Sequence, residues 1–188
     1  MSTADLRNAV VETAREMLRL GLVTGTSGNV SARDGDSVLI TPAALAYEEM
    51  SEEDVVELSP DGDAVEEASP SSERRVHTAI YAVRPDVRAI VHTHSVHATA
   101  WSFLDEALDT GTEELEAAAG GAVITARYAP TGTDEIAAAA AEALGERGAV
   151  LLGRHGVVAV NESPAAALSV ALVVERQAQM AWLLRGRT

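Results

Sequence analysis

Four residues of this sequence could together bind a metal ion and move a proton. His92 and His94 lie two positions apart in the segment 89–94, whose β-branched residues favour a strand. Side chains two apart point to the same face of a strand, so both imidazoles could be ligands of one tetrahedral metal ion. His155, after a second apolar run, is a third candidate ligand, and the carboxylate of Glu73 lies upstream. Three neutral imidazoles leave one position open for a substrate, which distinguishes a catalytic zinc site from a structural one.

The histidine pair also has a simpler explanation. Two half-buried histidines bonded to the backbone would produce the same His-x-His pattern in a strand. The third histidine and the upstream carboxylate favour the metal site over that explanation. We predict that the other two histidines, His77 and His97, are structural or support the ligands from behind, because an open catalytic site needs only three ligands.

Two short polar segments leave two interpretations open. Residues 25–29 read Gly-Thr-Ser-Gly-Asn, which is typical of a turn but also of a cradle of N–H groups and hydroxyls for an anion. Ser71 and Ser72 precede an apparent helix, where they could cap it or contact a phosphate at its positive end.

The composition predicts one domain over residues 1–188. Of these residues 47% are hydrophobic, which is enough for a substantial core. No apolar stretch is long enough to cross a bilayer, and residues 1–6 lack the basic and apolar regions of a secretory signal. Cysteine is absent, which excludes disulfides, thiolate ligands and cysteine nucleophiles. These features predict a soluble cytoplasmic protein.

The charged residues exclude further classes of function. All 14 basic residues are arginine, so Schiff-base chemistry, attachment of pyridoxal phosphate and a Walker lysine are excluded. A net charge of −15 argues against nucleic acids and anionic membranes as partners, because phosphate contacts require a positive surface.

The excess of 29 acidic over 14 basic residues also leads to a hypothesis about the environment. A high genomic GC content would favour arginine and alanine over lysine, but it does not explain the excess of acidic residues. An acidic surface keeps proteins soluble in concentrated salt, so we hypothesise a halophilic source with a high-salt cytoplasm. Equal stability and solubility in dilute buffer and in molar potassium chloride would contradict that hypothesis.

The elements that must position these residues follow from periodicity and from turn signals. The predicted helices cover residues 3–20, 71 or 72–83, 95–101, 133–147 and 163 to near 188. The predicted strands cover residues 29–33, 37–40, 55–58, 89–94, 122–126, 149–152 and 156–160. Residues 105–121 show no clear pattern. Because helices and strands interleave and tight hairpins are present, we predict an α/β fold with a mixed sheet covered by helices.

Several short motifs in this order resemble the class II aldolase/adducin head family. They are Gly21-Leu22, Gly25-Thr26, Gly28-Asn29-Val30-Ser31, Leu39-Ile40-Thr41-Pro42, Ser71-Ser72-Glu73, Val91-His92-x-His94 with Val96-His97, Ala117-Ala118-Ala119-Gly120-Gly121, Gly132-Thr133 and His155-Gly156. The resemblance extends from about residue 6 to residue 183. It implies a three-layer α/β/α fold around a mixed, mainly antiparallel sheet. It also implies a homotetramer with sites at subunit interfaces.

The resemblance also implies a reaction and assigns roles to residues. Enzymes of this kind cleave a ketose 1-phosphate, such as L-fuculose 1-phosphate, to dihydroxyacetone phosphate and a short aldehyde. The implied zinc ligands are His92, His94 and His155, with Mn²⁺ or Co²⁺ as possible replacements, and Glu73 is the implied acid/base. The implied phosphate pocket comprises Thr26, Gly28, Asn29, Ser71 and Ser72.

The absence of lysine agrees with this chemistry. Breaking the C3–C4 bond leaves a carbanion that must be held as an enediolate, and a zinc ion can stabilise it where a lysine iminium cannot form. Glu73 can then shuttle the proton, provided that the site tunes its pKa toward neutrality.

The sequence departs from the family at three places. Glu113, Glu114 and Glu116 occupy the stretch where fuculose enzymes have a tyrosine, and Ala43-Ala44 replaces a segment that often contains a phosphate-binding glycine. The enzymes also use a tyrosine from a C-terminal tail, whereas the tyrosines here are Tyr47, Tyr81 and Tyr128.

Three alternative functions remain open at this stage. An L-ribulose-5-phosphate 4-epimerase would use the same retro-aldol step, but such enzymes tend to have aspartate where Glu73 stands. A methylthioribulose-phosphate dehydratase is a second enzymatic alternative. An adducin-like structural head domain is the non-enzyme alternative, against which the retained histidines and Glu73 argue.

Overall fold

The computed structural model describes residues 2–186, which form six α-helices, seven strands and one 3₁₀ turn at Glu52–Asp54. The helices are α1 (Thr3–Arg19), α2 (Arg74–Val83), α3 (Val96–Trp101), α4 (Glu113–Ala119), α5 (Asp134–Leu144) and α6 (Pro164–Arg185). The strands are β1 (Asn29–Asp34), β2 (Ser37–Ile40), β3 (Val56–Leu58), β4 (Ala89–Thr93), β5 (Ile124–Ala126), β6 (Ala149–Leu152) and β7 (Gly156–Asn161). None of the helices within residues 2–186 is both long and apolar enough to cross a membrane.

The seven strands form one sheet in the order β3-β2-β1-β4-β7-β6-β5. Every neighbouring pair is antiparallel except β5 and β6, which are parallel. This arrangement confirms the expected mixed, mainly antiparallel sheet. The strand β4 lies at its centre, with β1 on one side and β7 on the other.

One hydrophobic core lies on each face of the sheet, between the sheet and a layer of helices. Successive side chains of β4 point to opposite faces of the sheet. Val91 belongs to the core under α1, α3, α4 and α6, whereas Ile90 belongs to the core under α2 and α5. His92 lies two residues after Ile90 and therefore shares its face of the strand, so its imidazole points toward the face on which α2 lies. The three-layer α/β/α architecture is confirmed.

Three element boundaries differ from the sequence prediction by more than one residue. The helix α2 begins at Arg74, with Glu73 as its N-cap residue, and not at Ser71 or Ser72. The Ser71 hydroxyl accepts the Glu73 N–H at 3.3 Å, a local bond that competes with helix formation, so both serines lie in the turn before the helix. The strand β5 is shorter than predicted, because the segment before it pairs through Val123 with Leu108 in an isolated bridge.

The end of α5 is also earlier than predicted. The helix stops at Leu144 because Gly145 has a φ of 52°, a conformation that glycine adopts easily. Arg147 therefore does not lie in the last turn of α5, and its Nε donates to the carbonyl of Ala122. In the unassigned region, Thr112 caps α4 and Gly120 ends it in the left-handed conformation.

Candidate metal and active site

Glu73, His92, His94 and His155 converge on one point. Each offers a ligand atom, and these four atoms all lie within 4.8 Å of one another. The distance from His92 Nε2 to His94 Nε2 is 2.9 Å, and the distance from His94 Nε2 to His155 Nε2 is 3.1 Å. Nitrogens bound to one tetrahedral zinc at about 2.0–2.1 Å lie about 3.3 Å apart, so the observed spacing suits a shared cation.

The sheet and the start of α2 bring these residues together. His92 is in β4 and is paired with Val158 of β7, whereas His94 lies one residue beyond the end of β4. His155 lies in the tight turn between β6 and β7, next to the strand that carries His92. Glu73 enters from α2, with its Oε2 at 2.9 Å from His92 Nε2 and its Oε1 at 3.3 Å from His155 Nε2.

The second ring nitrogen of His92 fixes the orientation of its imidazole. His92 Nδ1 lies 2.8 Å from the carbonyl oxygen of Val157, to which only an N–H can donate. The lone pair of Nε2 can therefore be directed at a metal ion, as is usual for histidine ligands with a backbone carbonyl partner.

The donor set fits a divalent cation. Glu73 Oε1 is buried and accepts no hydrogen bond among residues 2–186. A buried carboxylate oxygen without a donor is costly, and a cation would satisfy it. Three imidazole nitrogens and one carboxylate oxygen are ligands that zinc accepts, and manganese or cobalt can share them.

The charges in the site hold Glu73 in its ionised form. Burial raises the pKa of Glu73, but the imidazoles, above all His92, lower it more, so the pKa lies well below its ordinary range. Burial and the neighbouring imidazoles lower the pKa of His94 to about 4, and the same causes lower the pKa of His155. The acid/base role led us to expect a pKa near neutrality for Glu73. The pKa instead lies below its ordinary range, so that expectation was wrong. A low pKa favours the form that can accept a proton.

The predicted phosphate residues line the same cleft as the cluster. The cleft has a volume of about 430 Å³, and its walls include Glu73, His94 and His155. All five predicted phosphate residues are among its lining residues, namely Thr26, Gly28, Asn29, Ser71 and Ser72. Among residues 2–186 no arginine lines it, so an anion there would meet hydroxyls and backbone N–H groups.

Gly28 shows why the loop before β1 needs glycine. Its φ is +76°, and a Cβ at this position would lie 2.6 Å from the carbonyl oxygen of His92. The loop therefore approaches the backbone of the histidine strand more closely than any other residue would allow.

Comparison with known proteins places the chain in a family. The model of the family described as "Class II Aldolase and Adducin N-terminal domain" matches residues 8–182. The chain belongs to this family. Because its relatives are aldolases, the protein is a lyase, and class II aldolases use a divalent metal ion.

Three similar proteins illustrate the relationship. An L-fuculose phosphate aldolase of Escherichia coli strain K12 is 41% identical over 180 residues, which cover 96% of this chain and 84% of the relative. A 5-methylthioribulose-1-phosphate/5-deoxyribulose-1-phosphate aldolase of Rhodospirillum rubrum is 37% identical over 181 residues, covering 96% and 82% of the two chains. A solved structure of an L-fuculose 1-phosphate aldolase has a TM-score of 0.94 at 34% identity and covers 99% of this chain and 89% of that chain.

In this class II aldolase, an alanine in the cleft wall has a left-handed backbone conformation that favours glycine. Ala44 lines the cleft and has a φ of 59°, a left-handed conformation that costs a non-glycine residue about 1–2 kcal/mol.

The glutamates of α4 lie away from the cleft within this chain. Glu113 and Glu116 line a separate depression with Asp109, and Glu114 accepts a hydrogen bond from Gln177 at 2.8 Å. Within one chain they therefore do not replace the tyrosine of the fuculose enzymes.

Residues that the sequence patterns did not identify also shape the site. Thr131 lines the cleft, and the Tyr47 hydroxyl lies within donating distance of the Gly28 carbonyl at 2.7 Å and the Ser27 carbonyl at 3.2 Å. Neither residue belongs to a motif, and no local pattern distinguishes Tyr47 from an ordinary core tyrosine.

The short helix α3 joins the two segments that carry His94 and His155. It begins just after His94, and at its end Ser102 accepts the His155 N–H with its hydroxyl at 3.2 Å. The Ser102 carbonyl accepts the Arg154 N–H at 3.1 Å, and the Thr99 hydroxyl donates to the His155 carbonyl at 3.4 Å. This contact between the helix and the turn fixes the position of one candidate ligand relative to another.

Replacing Ser102 with alanine should weaken metal binding about tenfold, because groups that orient metal ligands typically affect affinity by about 10–100-fold. The lost hydroxyl should lower the free energy of unfolding by about 1 kcal/mol. Competition with a chelator measures the affinity, and denaturant unfolding measures the stability. Ser169→Ala is the control, since its exposed hydroxyl donates to a backbone carbonyl within α6, as the Ser102 hydroxyl donates to the Thr99 carbonyl at 2.7 Å. Equal metal affinity in both variants would contradict this role of Ser102.

Proposed function

We propose that the protein is a zinc-dependent aldolase that cleaves a ketose 1-phosphate of the L-fuculose 1-phosphate type to dihydroxyacetone phosphate and a short aldehyde. The observation that supports this most is the convergence of Glu73 and three imidazoles at one end of the cleft that the predicted phosphate residues line. In this proposal His92, His94 and His155 hold the ion. When bound, it supplies Lewis-acid polarisation of the substrate's carbonyl and hydroxyl oxygens.

The residues of the chain account for binding and proton transfer. The phosphate contacts Thr26, Gly28, Asn29, Ser71 and Ser72 through neutral donors, as nests of N–H groups and hydroxyls do elsewhere. Such donors bind the phosphate locally despite the net charge of −15 of the chain.

Glu73 moves the substrate proton in this proposal. When the C3–C4 bond breaks, the C4 hydroxyl gives its proton to the Glu73 carboxylate and its C–O bond becomes the aldehyde carbonyl. The electron pair of the broken bond stays on C3, which then takes the proton from Glu73. Glu73 is 6% exposed, faces the imidazoles and lines the cleft, so it lies where it can take a proton from the substrate and return one.

A pentulose 1-phosphate bearing a methylthio or deoxy C5 is the second candidate substrate. The 37% identity to the Rhodospirillum rubrum aldolase named for such substrates favours it, and the retro-aldol step would be the same. Glutamate at position 73, where epimerases tend to have aspartate, favours an aldolase over a 4-epimerase.

One assay tests the proposal. Metal-loaded protein is incubated with L-fuculose 1-phosphate, 5-deoxyribulose 1-phosphate, methylthioribulose 1-phosphate and L-ribulose 5-phosphate, and dihydroxyacetone phosphate is measured. We expect it from L-fuculose 1-phosphate at the highest kcat/KM. Release from the pentulose 1-phosphates alone would move the substrate assignment to them. Epimerised pentulose alone, or dehydrated methylthioribulose phosphate alone, would contradict the aldolase.

Metal identity, assembly and location belong to the same proposal. We expect zinc on elemental analysis of protein purified without added metal, a homotetramer in light scattering, and a cytoplasmic enzyme without nucleic acid or membrane partners. Manganese or cobalt at one ion per subunit would change the metal and leave the reaction unaltered.

A further inference from the structure

A row of buried polar side chains leads away from Glu73 into the layer between the sheet and α2. Asn29 Nδ2 donates to Glu73 Oε2 at 3.2 Å, and Asn29 Oδ1 lies 2.5 Å from His77 Nε2. His77 Nδ1 lies 2.6 Å from Ser31 Oγ, which lies 2.9 Å from the Tyr81 hydroxyl. None of the five residues is more than 6% exposed, so each depends on its protein neighbours for hydrogen bonds.

His77 carries a single ring proton. Burial, followed by the charge of His92, lowers its pKa to about 3, so the imidazole is neutral at physiological pH. A neutral imidazole donates from one nitrogen and accepts at the other. The hydrogen bonds along the row can therefore all run in one of two directions. The ring nitrogen of His77 that carries the proton determines which partner donates at every other contact.

The charge on Glu73 selects one direction. If His77 donated to Ser31, its Nε2 would have to accept from the Asn29 amide, and Asn29 Oδ1 would then face the carboxylate. Two acceptors at 3.2 Å cannot form a hydrogen bond. In the other direction, Tyr81 donates to Ser31, Ser31 to His77, His77 to Asn29 and Asn29 to Glu73, so every contact has one donor.

Asn29 makes this row an orienting device and not a proton path. Its carboxamide accepts at the oxygen and donates at the nitrogen, and it does not pass a proton between them as an imidazole does. What His77 can transmit to Glu73 is the orientation of the amide.

We propose that His77 is a positioning residue for proton transfer: its Nε2–H holds the Asn29 amide with the nitrogen toward Glu73, and this contact fixes the carboxylate against the cleft. The proposal rests on the proposed function, because it assumes that Glu73 moves the substrate proton. It gives the helix α2 a second role, since this helix supplies both Glu73 at its start and the group that orients it one turn later.

The test uses exchange of the C3 proton of dihydroxyacetone phosphate with deuterium oxide, a step that needs no aldehyde. In His77→Gln the amide nitrogen can take the place of Nε2 and donate to Asn29. In His77→Asn the shorter amide can reach Ser31 but not Asn29. We expect the Asn variant to lose about 10–100-fold in exchange rate, as loss of a supporting group typically does, and the Gln variant to stay within about threefold of wild type. Both variants should retain one metal ion per subunit.

Tyr81→Phe is the matched control. It lies on the same helix, loses the hydroxyl that contacts Ser31, and leaves the contact between His77 and Asn29 in place. We expect exchange within about threefold of wild type, with an unfolding free energy lowered by about 1 kcal/mol. An equal loss of exchange in Tyr81→Phe and His77→Asn would show a purely structural role and overturn the proposal.

Other outcomes are equally decisive. Equal exchange rates in the Asn and Gln variants would overturn the proposal, as would an increase in KM at an unchanged exchange rate, which would place the effect in phosphate binding. If metal-loaded wild-type protein does not exchange the proton, the proposed function itself is wrong and the role of His77 is rejected with it. If wild type exchanges and the His77 variants match it, only the role of His77 is rejected.

Discussion

Gly156→Ala is expected to abolish aldolase activity by adding a single methyl group. A Cβ at this position would collide with the carbonyl oxygen of Thr93 and would lie 3.1 Å from His94 Cδ2 and 3.2 Å from His92 Cε1. Because Thr93 pairs with Val157, the strands β4 and β7 would have to separate where the histidines lie. Displacement of about 1 Å in a catalytic geometry can cost about 100-fold in rate, so we expect at least that loss in kcat/KM.

Stability and metal binding should change together in this variant. Overpacking typically costs about 1–3 kcal/mol, and here the obstacle is backbone that has little freedom to move. Denaturant unfolding measures the cost, and elemental analysis after dialysis measures the metal. Gly186→Ala is the control, since a Cβ there would have its nearest neighbour at 4.0 Å. Wild-type metal content and kcat/KM in Gly156→Ala would show that the close approach of β7 to the histidines is not required.

Local pattern was sufficient to predict the histidine strand. The β-branched residues around His92 and the spacing of the pair follow from strand geometry, and the structure has Ala89–Thr93 as the central strand. Local residues also set the starts of three helices, since the side chains of Ser2, Thr133 and Ser163 each accept an N–H from the first turn that follows them.

The pairing of distant segments could not be derived from local patterns. The contact between β4 and β7 brings His155 within 3.1 Å of His94, although 61 residues separate them. The hydroxyl of Ser102 and the imidazole of His77 act through contacts across 53 and 48 residues. The resemblance to a family indicated which histidines would meet, and it did not indicate what holds them. The prediction of one domain over residues 1–188 and the roles assigned to the site residues stay predictions.

Short or alanine-rich segments were the other source of error. The helix α4 has only 7 residues, with acidic residues in its first turn and an alanine run at its end, so its apolar face is too narrow for a periodic signal. Serine is a common helix N-cap residue, which is why Ser71 and Ser72 were predicted to begin the helix. The Ser71 hydroxyl instead accepts the Glu73 N–H, and both serines line the cleft.

Glu73→Gln is expected to lower kcat by about 10²–10⁴-fold, the usual contribution of general acid–base catalysis. Glutamine has nearly the same shape, so it can keep the contact with Asn29 after rotation of its amide, but it cannot accept a proton at neutral pH. Because the pKa of Glu73 lies below its ordinary range, the wild-type carboxylate is ionised at neutral pH. The loss of kcat in the Gln variant should therefore appear at every pH near neutrality. Steady-state release of dihydroxyacetone phosphate measures kcat.

Metal content separates the two roles that the geometry allows for Glu73. Its oxygens lie at 2.9 Å and 3.3 Å from the ligand nitrogens of His92 and His155, close enough for a fourth ligand as well as for a base. Three imidazoles suffice to hold zinc, so we expect the Gln variant to keep one ion per subunit after dialysis. Asp86→Asn is the control, because it removes a carboxylate that is paired with Arg84 and lines a different depression, and its kcat should be unchanged. Loss of metal in parallel with kcat would make Glu73 a ligand, and an unchanged kcat with metal bound would require another residue to move the proton.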